Sequence, residues 1–485
     1  MPFERRTTQP ENPFASLAPD QTIAIVPEFT FESGHTIRDV PVAYKTWGVL
    51  NEAADNCMLI CHPLSRSVDV EDWWVNLMGT CTLEGKGKVI DETKFYIICL
   101  NCMGSPYGSA SPLTTNPDTG ARYGPEFPLP TIRDDCKLHK LVLDELGVKS
   151  VAICIGASMA GMHAFEWAFF SDTQGSSPFV KSIIPISAPA KSAAWSISWT
   201  EAQRQAIFTD PKYLDGYYPL DTPPLQGMTA ARMTAMLTYR TRDSYERRFG
   251  RDIMPPSSLT ATSGQSSITT STTITTTAST ASEIHRRNHN EGHRHQNPSA
   301  AQPPPPPSST IDILTPDGSP KPSSGTTTDN NLNTPANITS AYQPQVYSAH
   351  SYLRYQAAKF NERFDANCYI ALSRKMDAHD VSYNRGPYED VVRSIEQPVL
   401  VIGIDSDVLY TSKEIKALSD LLPNGEYFVV KSDEGHDGVL LEYEQINHAI
   451  VAFMQRQDHI RELVRREGTV VLEKKTPRGS LFASW

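Results

Sequence analysis

The sequence predicts an α/β fold in which a mostly parallel sheet carries helices on both faces. Short apolar runs with the length of buried strands alternate with segments of helical apolar spacing. The strand-like runs lie at 56–61, 95–101, 151–155, 180–186, 397–403 and 426–431. The helix-like segments lie at 131–146, 162–170, 412–422 and 442–455. Before them, the alternating patterns at 23–31 and 40–47 indicate an antiparallel hairpin at the sheet edge.

A serine stands at the junction of the third strand-like run and the following helix, within Gly156-Ala-Ser-Met-Ala-Gly161. A serine between small residues at a strand-to-helix turn is typical of the nucleophile elbow of the α/β-hydrolase fold. The turn is so sharp that a bulky side chain two positions away would strike the neighbouring backbone. Ala160 stands where the strict pattern has glycine, but it is still small. We therefore predict an α/β-hydrolase fold with Ser158 as its nucleophile.

An elbow serine needs an acid and a histidine base, and in this fold they follow it in the order Ser, Asp or Glu, His. Asp407 follows the end of one downstream strand, and His436 follows the end of the next. Catalytic groups of open α/β sheets lie outside the carboxyl ends of the strands. We therefore predict a triad of Ser158, Asp407 and His436, with Asp405 as the alternative acid.

The composition divides the chain into a core, a cap and an insertion. Residues 255–342 are rich in Ser, Thr, Pro and Asn, which predicts a disordered segment because it lacks apolar content to offset its ordering entropy. The helical, aromatic- and Arg-rich segments 196–254 and 343–395 lie where this fold inserts a cap or lid. The α/β-hydrolase core then comprises residues 1–195, with the elbow, and 396–485, with the acid and base.

The charge and hydropathy exclude several classes of partner. The formal net charge of −11 argues against nucleic acid or an anionic membrane surface as the main partner. No stretch approaches the roughly 18 apolar residues of a membrane span, and the first residues lack the apolar core of a signal peptide. We therefore expect a cytoplasmic protein with no nucleic-acid and no membrane partner.

The eight cysteines lie mostly in or beside predicted strands. Cys99 and Cys102 have CxxC spacing, but they end a buried strand and lack a redox or zinc context. Buried free thiols in a reducing compartment are the better interpretation. We predict no metal site and no bound cofactor.

The oxyanion hole of this fold needs two backbone N–H groups, one from the residue after the nucleophile and one from a loop after an earlier strand. Met159 supplies the first. The loop from Cys61 follows an early strand and makes Leu64 the candidate for the second. His62 is predicted to brace this loop, because the chain order already assigns the base to His436.

A further pair of residues in the cap suits a carboxylate. Arg232 and Tyr239 lie seven residues apart in a helix-like segment, which is two turns, so they share one face. An arginine beside a phenol can grip a carboxylate through charge-assisted hydrogen bonds; the alternative is an ordinary solvated arginine. Asp437, directly after the base, could hold an ammonium group, and the two sites together would describe a pocket for an amino acid.

The chain resembles the homoserine O-acetyltransferase family in its fungal form, with deacetylcephalosporin C acetyltransferase as a close relative. The matching stretches cover nearly everything except the low-complexity segment and the termini. They are Val40–Trp47, Gly104–Ser111, Tyr123–Pro128, Thr131–Asp135, the elbow, Glu201–Gln205, Asp210–Tyr213, Tyr352–Gln356, Phe364–Ala371 and Glu434–Asp437.

The resemblance implies O-acetyl transfer from acetyl-CoA, as a co-substrate, to L-homoserine in methionine biosynthesis, with ping-pong kinetics and a homodimeric assembly. It implies a role for each predicted site residue. Ser158 is acylated, His436 is the base and Asp407 orients it, Leu64 and Met159 form the oxyanion hole, Arg232 and Tyr239 bind the substrate carboxylate, and Asp437 binds its amino group.

Two departures from the family pattern leave alternatives open. Ala157 and Ala160 replace elbow glycines, and Arg66 occupies a glycine position of the oxyanion loop. The same chemistry on L-serine or on a secondary-metabolite alcohol is one alternative, a succinyl donor a second, and an ester or thioester hydrolase a third. A weakly catalytic relative acting through its insertion, whose His-rich patch spans 285–295, is a fourth.

Overall fold

The fold is described from a computed structural model that covers residues 2–80, 87–172, 175–253, 285–286, 289–293 and 346–466. The chain divides into two compact units, one of residues 1–250 and 352–485 and one of residues 251–351. Most of the predicted insertion 255–342 lies outside the described residues. In the smaller unit, Ile253 and Tyr347 form an isolated antiparallel bridge, and the Ser348 N–H donates to the Asp252 carbonyl over 2.8 Å.

The larger unit is built on a nine-stranded sheet whose order is β1-β2-β3-β5-β4-β6-β7-β8-β9. In this order, the neighbours from β1 to β5 pair antiparallel. The neighbours from β5 to β9 pair parallel. The strands are β1 Glu4–Arg6, β2 Thr22–Thr30, β3 Thr36–Trp47, β4 Cys57–Cys61, β5 Tyr96–Leu100, β6 Val151–Ala157, β7 Ile183–Ile186, β8 Val399–Ile404 and β9 Gly425–Val430. The predicted hairpin is thus β2–β3, although the short β1 lies outside it at the edge.

Helices join and cover these strands. They are α1 Val70–Trp73, α2 Ile132–Glu145, α3 Met159–Trp167, α4 Ala194–Phe208, α5 Leu225–Tyr239, α6 Arg242–Phe249, α7 Ser348–Asn361, α8 Ala366–Asp377, α9 Tyr388–Arg393, α10 Ser412–Leu421, α11 Gly438–Leu441, α12 Tyr443–Arg456 and α13 Asp458–Arg466. The predicted helices correspond to α2, α3, α10 and α12. The architecture confirms the predicted α/β-hydrolase fold, and helices α4 to α9 lie wholly or mostly in the segments 196–254 and 343–395, which the sequence assigned to a cap.

Local sequence signals explain where helix α2 begins and ends. Thr131 and Asp134 form a reciprocal capping box, in which each side chain accepts a hydrogen bond from the other residue's backbone N–H. Two residues beyond the helix, Gly147 has a φ of 84°, a conformation that costs glycine little and ends the helix. Because α2 packs directly on α3, these caps help to fix the helix that begins at the elbow.

The central strands are buried along their whole length, as the continuous apolar runs predicted. Every residue of β4, β6, β7 and β8 is buried, which is the pattern of a parallel sheet covered on both faces. The predicted strand at 180–186 is shorter, because only 183–186 pair continuously with their neighbours and Val180 forms an isolated bridge to Val151. The loops after β4, β6 and β8, which carry predicted site residues, therefore begin at the ends of strands that are buried along their whole length.

Candidate active site

Ser158 lies between β6 and α3 in a strained backbone conformation, with φ 58° and ψ −127°. The backbone crowds around it. A Cβ atom added at Gly156 would lie 2.1 Å from the Ala160 carbonyl oxygen, and one added at Gly161 would lie 2.4 Å from the Ala188 Cβ. These two glycines are therefore required by close packing, whereas the fully buried Ala160 fits a position where the strict motif has glycine. The strained turn presents the half-buried serine at the end of the strand.

Both predicted oxyanion donors flank this serine's end of the sheet. Met159 is the first residue of α3, so its N–H has no acceptor within the helix. Leu64 lies in a turn after β4, where the Arg66 N–H donates to the Pro63 carbonyl over 3.0 Å. Since β4 and β6 are neighbouring parallel strands with Cys61 opposite Gly156, the two loops emerge side by side.

His436 and Asp407 are brought together by the ends of β9 and β8. The imidazole Nδ1 lies 2.7 Å from the Asp407 Oδ2 atom, and both side chains are buried. The other oxygen of Asp407 accepts the backbone N–H groups of Leu409 and Tyr410 at 2.8 and 3.1 Å. This carboxylate is thus fixed on both sides, which leaves the histidine Nε2 as the nitrogen that can exchange a proton with a reacting group.

Asp405, the alternative acid, has other partners. Its Oδ1 atom accepts the Ser432 N–H over 3.0 Å, and its Oδ2 atom lies 3.4 Å from the Lys431 ammonium. Asp405 therefore braces the loop that precedes His436, and the histidine is paired with Asp407.

The surroundings of His436 favour its charged form. Burial lowers the pKa of this imidazole, but the carboxylate of Asp407, its hydrogen bond and the nearby Asp437 outweigh burial and raise the pKa above its ordinary value. The rings of Tyr239 and Tyr410 lie 6.1 and 5.5 Å from the imidazole, centroid to centroid. His436 can therefore carry a proton while negative charge develops on a reacting group.

A cleft lies beside His436. It is lined by Arg232, Met236, Tyr239, Arg240, Tyr352, Gln356 and Asp437. All three residues predicted to bind the substrate line it. The lining of the cleft offers cations, a phenol and a carboxylate.

Arg232 and Tyr239 share one face of α5, as their spacing predicted. The guanidinium carbon of Arg232 lies 5.5 Å from the centre of the Tyr239 ring and 4.8 Å from that of Phe360. Arg232 is 7% exposed, and its buried Nε atom has no hydrogen-bond partner among the described residues. A buried donor without an acceptor is costly, so this atom is positioned to receive an anionic ligand.

Arg240 is a charged site residue that the sequence reasoning missed. Its Nε atom donates to the Asp437 Oδ2 atom over 2.9 Å, and its Nη1 atom lies 2.9 Å from the Glu434 Oε2 atom. Burial raises the pKa of Asp437. Arg240 and the other nearby cations lower this pKa by less, so it lies above its ordinary value. The sequence signal was present, because Arg240 directly follows Tyr239 and charged residues flank His436, but no spacing rule joins segments nearly 200 positions apart.

The oxyanion loop is held by charged groups from distant segments. Arg363, also missed from the sequence, donates from Nη1 to the Ser65 carbonyl over 3.2 Å. Arg66 is buried as well, and burial together with the nearby Arg363 lowers its pKa to about 9. Burial of the Arg66 side chain is the structural consequence of the departure noted at this position.

His62 braces the oxyanion loop, as predicted. Its Nε2 atom accepts the Cys102 N–H over 3.0 Å and its Nδ1 atom donates to the Pro63 carbonyl over 3.0 Å. Burial lowers the pKa of His62 to about 3, which keeps the ring neutral.

The cysteines of the described residues are free and buried, as expected, while Cys81 lies outside the described residues.

Two features of the described residues concern metal ions and membranes. No group of three or more His, Cys, Asp and Glu side chains there has an arrangement that could hold a metal ion. Within the same residues, no helix combines the length and apolar character needed to cross a membrane.

Comparison of the sequence with known proteins gives consistent relatives. A sequence model of the α/β-hydrolase fold matches residues 58–280. The homoserine O-acetyltransferase of Ascobolus immersus is 44% identical, over 97% of this chain and 94% of the relative. That of Schizosaccharomyces pombe is 45% identical over 94% and 90%, and that of Salinibacter ruber is 40% identical over 88% and 95%.

Solved structures with a similar fold include a transferase and a hydrolase. The homoserine O-acetyltransferase of Bacillus anthracis superposes with a TM-score of 0.64 at 20% identity, covering 90% of this chain and 98% of that one. Esterase E22 superposes with a TM-score of 0.63 at 22% identity, covering 90% and 99%. At these identities the similarity establishes the fold, while the sequence relatives carry the family.

Proposed function

This chain belongs to the homoserine O-acetyltransferases and transfers an acetyl group to homoserine, and we propose that it does so through an acyl-enzyme on Ser158 with acetyl-CoA as donor. The observation that carries this proposal is the 2.7 Å hydrogen bond between His436 and Asp407, at the ends of two strands that run parallel to β6 and therefore end at the same edge of the sheet as the elbow. That arrangement activates a serine for acyl transfer. The product would feed methionine biosynthesis.

In the first half-reaction, His436 Nε2 takes the proton of the Ser158 hydroxyl while the serine oxygen attacks the thioester carbonyl of acetyl-CoA. The carbonyl oxygen becomes negatively charged, and the N–H groups of Met159 and Leu64 stabilise it. The carbon–sulfur bond then breaks, and the CoA sulfur leaves with the proton from His436. Asp407 stabilises the transient imidazolium throughout.

In the second half-reaction, the acceptor hydroxyl gives its proton to the same histidine and attacks the acetyl-serine carbonyl. The ester bond to Ser158 breaks, and its oxygen regains the proton from His436. Because the CoA product leaves before the acceptor reacts, the scheme requires ping-pong kinetics.

The cleft is suited to orient the acceptor as an amino acid. We assign the acceptor carboxylate to Arg232 and Tyr239, because the buried Nε atom of Arg232 lacks an acceptor. We assign the acceptor ammonium to Asp437. Arg240 already engages Oδ2 of that carboxylate, so the ammonium would approach Oδ1. Opposite charges in the lining of the cleft would then set the direction of the acceptor.

The decisive experiment measures CoA thiol release from acetyl-CoA with L-homoserine, with L-serine and with no acceptor. We expect release that depends on homoserine, with parallel lines in double-reciprocal plots. Equal release without any acceptor would instead indicate a hydrolase, and release with serine alone would shift the acceptor assignment to the Arg66 loop. Intersecting lines would contradict the acyl-enzyme.

Replacing Arg232 with Met is expected to raise the KM for homoserine about 100-fold, because it removes charge-assisted hydrogen bonds to a carboxylate in a desolvated cleft. The KM for acetyl-CoA in the first half-reaction should change little. Steady-state kinetics with both substrates varied would measure this. Arg242→Met is the matched control, since that side chain is 83% exposed in the neighbouring helix and should leave both constants unchanged.

We further propose a cytoplasmic homodimer. Trp195 and Leu237, on α4 and α5, are each 54% exposed, and burying such side chains between two subunits would remove apolar surface from water. Sedimentation equilibrium should give twice the mass of the chain, and a monomer at micromolar concentration would contradict the dimer.

A further inference from the structure

A buried cluster of charged side chains lies behind the elbow and has no role in the scheme above. Asp135 of α2, His163 of α3 and Lys375 of α8 are 0, 2 and 1% exposed. Their helices come from separate parts of the chain and meet below the first turn of α3. Burying three ionisable groups is costly unless they pair closely, so the cluster calls for an explanation.

The hydrogen bonds of His163 define its protonation. Its Nδ1 atom lies 3.0 Å from the Met159 carbonyl oxygen, which can only accept, so Nδ1 carries a proton. Its Nε2 atom lies 2.7 Å from the Asp135 Oδ2 atom. If Asp135 is ionised, this nitrogen must donate as well, and the ring is an imidazolium.

The other contacts of Asp135 keep it ionised. Its Oδ1 atom accepts the Met103 N–H over 2.9 Å, and its Oδ2 atom forms an ion pair with Lys375. Burial raises the pKa of Asp135, but Lys375 and His163 outweigh it and hold the pKa below its ordinary value. The cluster therefore contains two positive charges and one negative charge.

The surroundings leave this excess positive charge in place. The nearby histidines His62 and His139 are neutral, because burial lowers their pKa values to about 3 and about 4. Glu166, the next acid along α3, is engaged by Arg133 and Arg385. The net charge of the cluster thus lies one helical turn beyond Met159, the residue to which the proposed mechanism assigns an oxyanion donor.

We propose that His163 is a positioning residue for acyl transfer, whose imidazolium ties down the first turn of α3 and adds positive potential at the oxyanion hole. Its hydrogen bond to the Met159 carbonyl fixes the residue that supplies an oxyanion donor. Its charge, held by Asp135, adds to the positive end of the α3 dipole. This role rests on the proposed acyl-enzyme on Ser158.

The test compares His163→Gln with wild-type enzyme. Glutamine keeps hydrogen-bonding groups but removes the charge. We expect kcat to fall about tenfold with the KM for homoserine within about twofold. The affinity for the trifluoroacetonyl thioether of CoA, which forms a tetrahedral oxyanion with the serine, should fall by the same factor. A structural defect alone would not make the two losses equal.

His139→Gln is the matched control, because it removes a buried but neutral histidine that lies 3.2 Å from the Asn101 carbonyl. Its kcat and inhibitor affinity should stay within about twofold of wild type. Lys375→Met removes the other positive charge of the cluster and should reproduce the paired losses. Thermal melts identify which variants are folded, and either cluster variant suffices.

Two outcomes would overturn the role of His163. One is a folded variant with unchanged kcat and inhibitor affinity, and the other is an equal loss in His139→Gln. Failure of the proposed acyl-enzyme looks different, since wild-type enzyme itself would then form no hemiketal with the inhibitor.

Discussion

Replacing Ser158 with Ala is expected to lower kcat for acetyl transfer by about 10⁴-fold or more. The substitution removes the atom that becomes acylated, and the remaining oxyanion hole and binding contacts supply only residual catalysis. The site should accommodate alanine, because the closest packing around the turn is at Gly156 and Gly161 and not at the serine. Thiol release from acetyl-CoA, followed with a thiol reagent, measures the loss, and the free cysteines among the described residues are buried and add little background.

Ser187→Ala is the control for this experiment. Ser187 follows the neighbouring strand β7, has a positive φ of 43°, and its buried hydroxyl makes no hydrogen bond among the described residues. The same chemical change there should leave kcat within about twofold. Substantial homoserine-dependent turnover in folded Ser158→Ala protein would disprove the acyl-enzyme.

Replacing Asp407 with Asn is expected to lower kcat by about 10⁴-fold while leaving the fold intact. The amide keeps the shape of the side chain but removes the charge that stabilises the imidazolium, and its NH₂ group can hold His436 in the wrong tautomer. Asp405→Asn is the matched control, because that carboxylate pairs with Lys431 and the Ser432 N–H. It should retain most activity, and a larger loss there would reassign the orienting acid.

The Asp407→Asn variant should also change how activity depends on pH. His436 must be neutral to accept a proton, so wild-type activity should rise with pH through a value above the ordinary histidine pKa of about 6.5. Asp407 is the main group that raises this pKa, and its removal should shift the acid limb of kcat/KM to lower pH. For stability the sign is reversed, because the protonated pair stabilises the fold at low pH and this contribution is lost as pH rises through the raised pKa.

Much of the fold could be predicted, and a triad proposed, because the signals for both are local. Continuous apolar runs predict strands buried on both faces, and the small residues around Ser158 predict the sharp turn. Asp407 and His436 were found because each follows a strand, and parallel strands end at the same edge. The spacing of Arg232 and Tyr239 likewise predicted one helical face, since helix geometry is fixed over two turns.

The tertiary structure alone decided which charges meet. Arg240 and Asp437 are 197 residues apart in sequence, and Lys375 and Asp135 are 240 apart. No periodicity links such positions, because their contact depends on how α5, α8 and the loop after β9 pack on the sheet. The sequence by itself determined the strands and the sharp turn that carries Ser158, and it predicted the residues of the triad. Packing determined the ion pairs around them, since the pairing of buried charges is a property of three-dimensional proximity and desolvation.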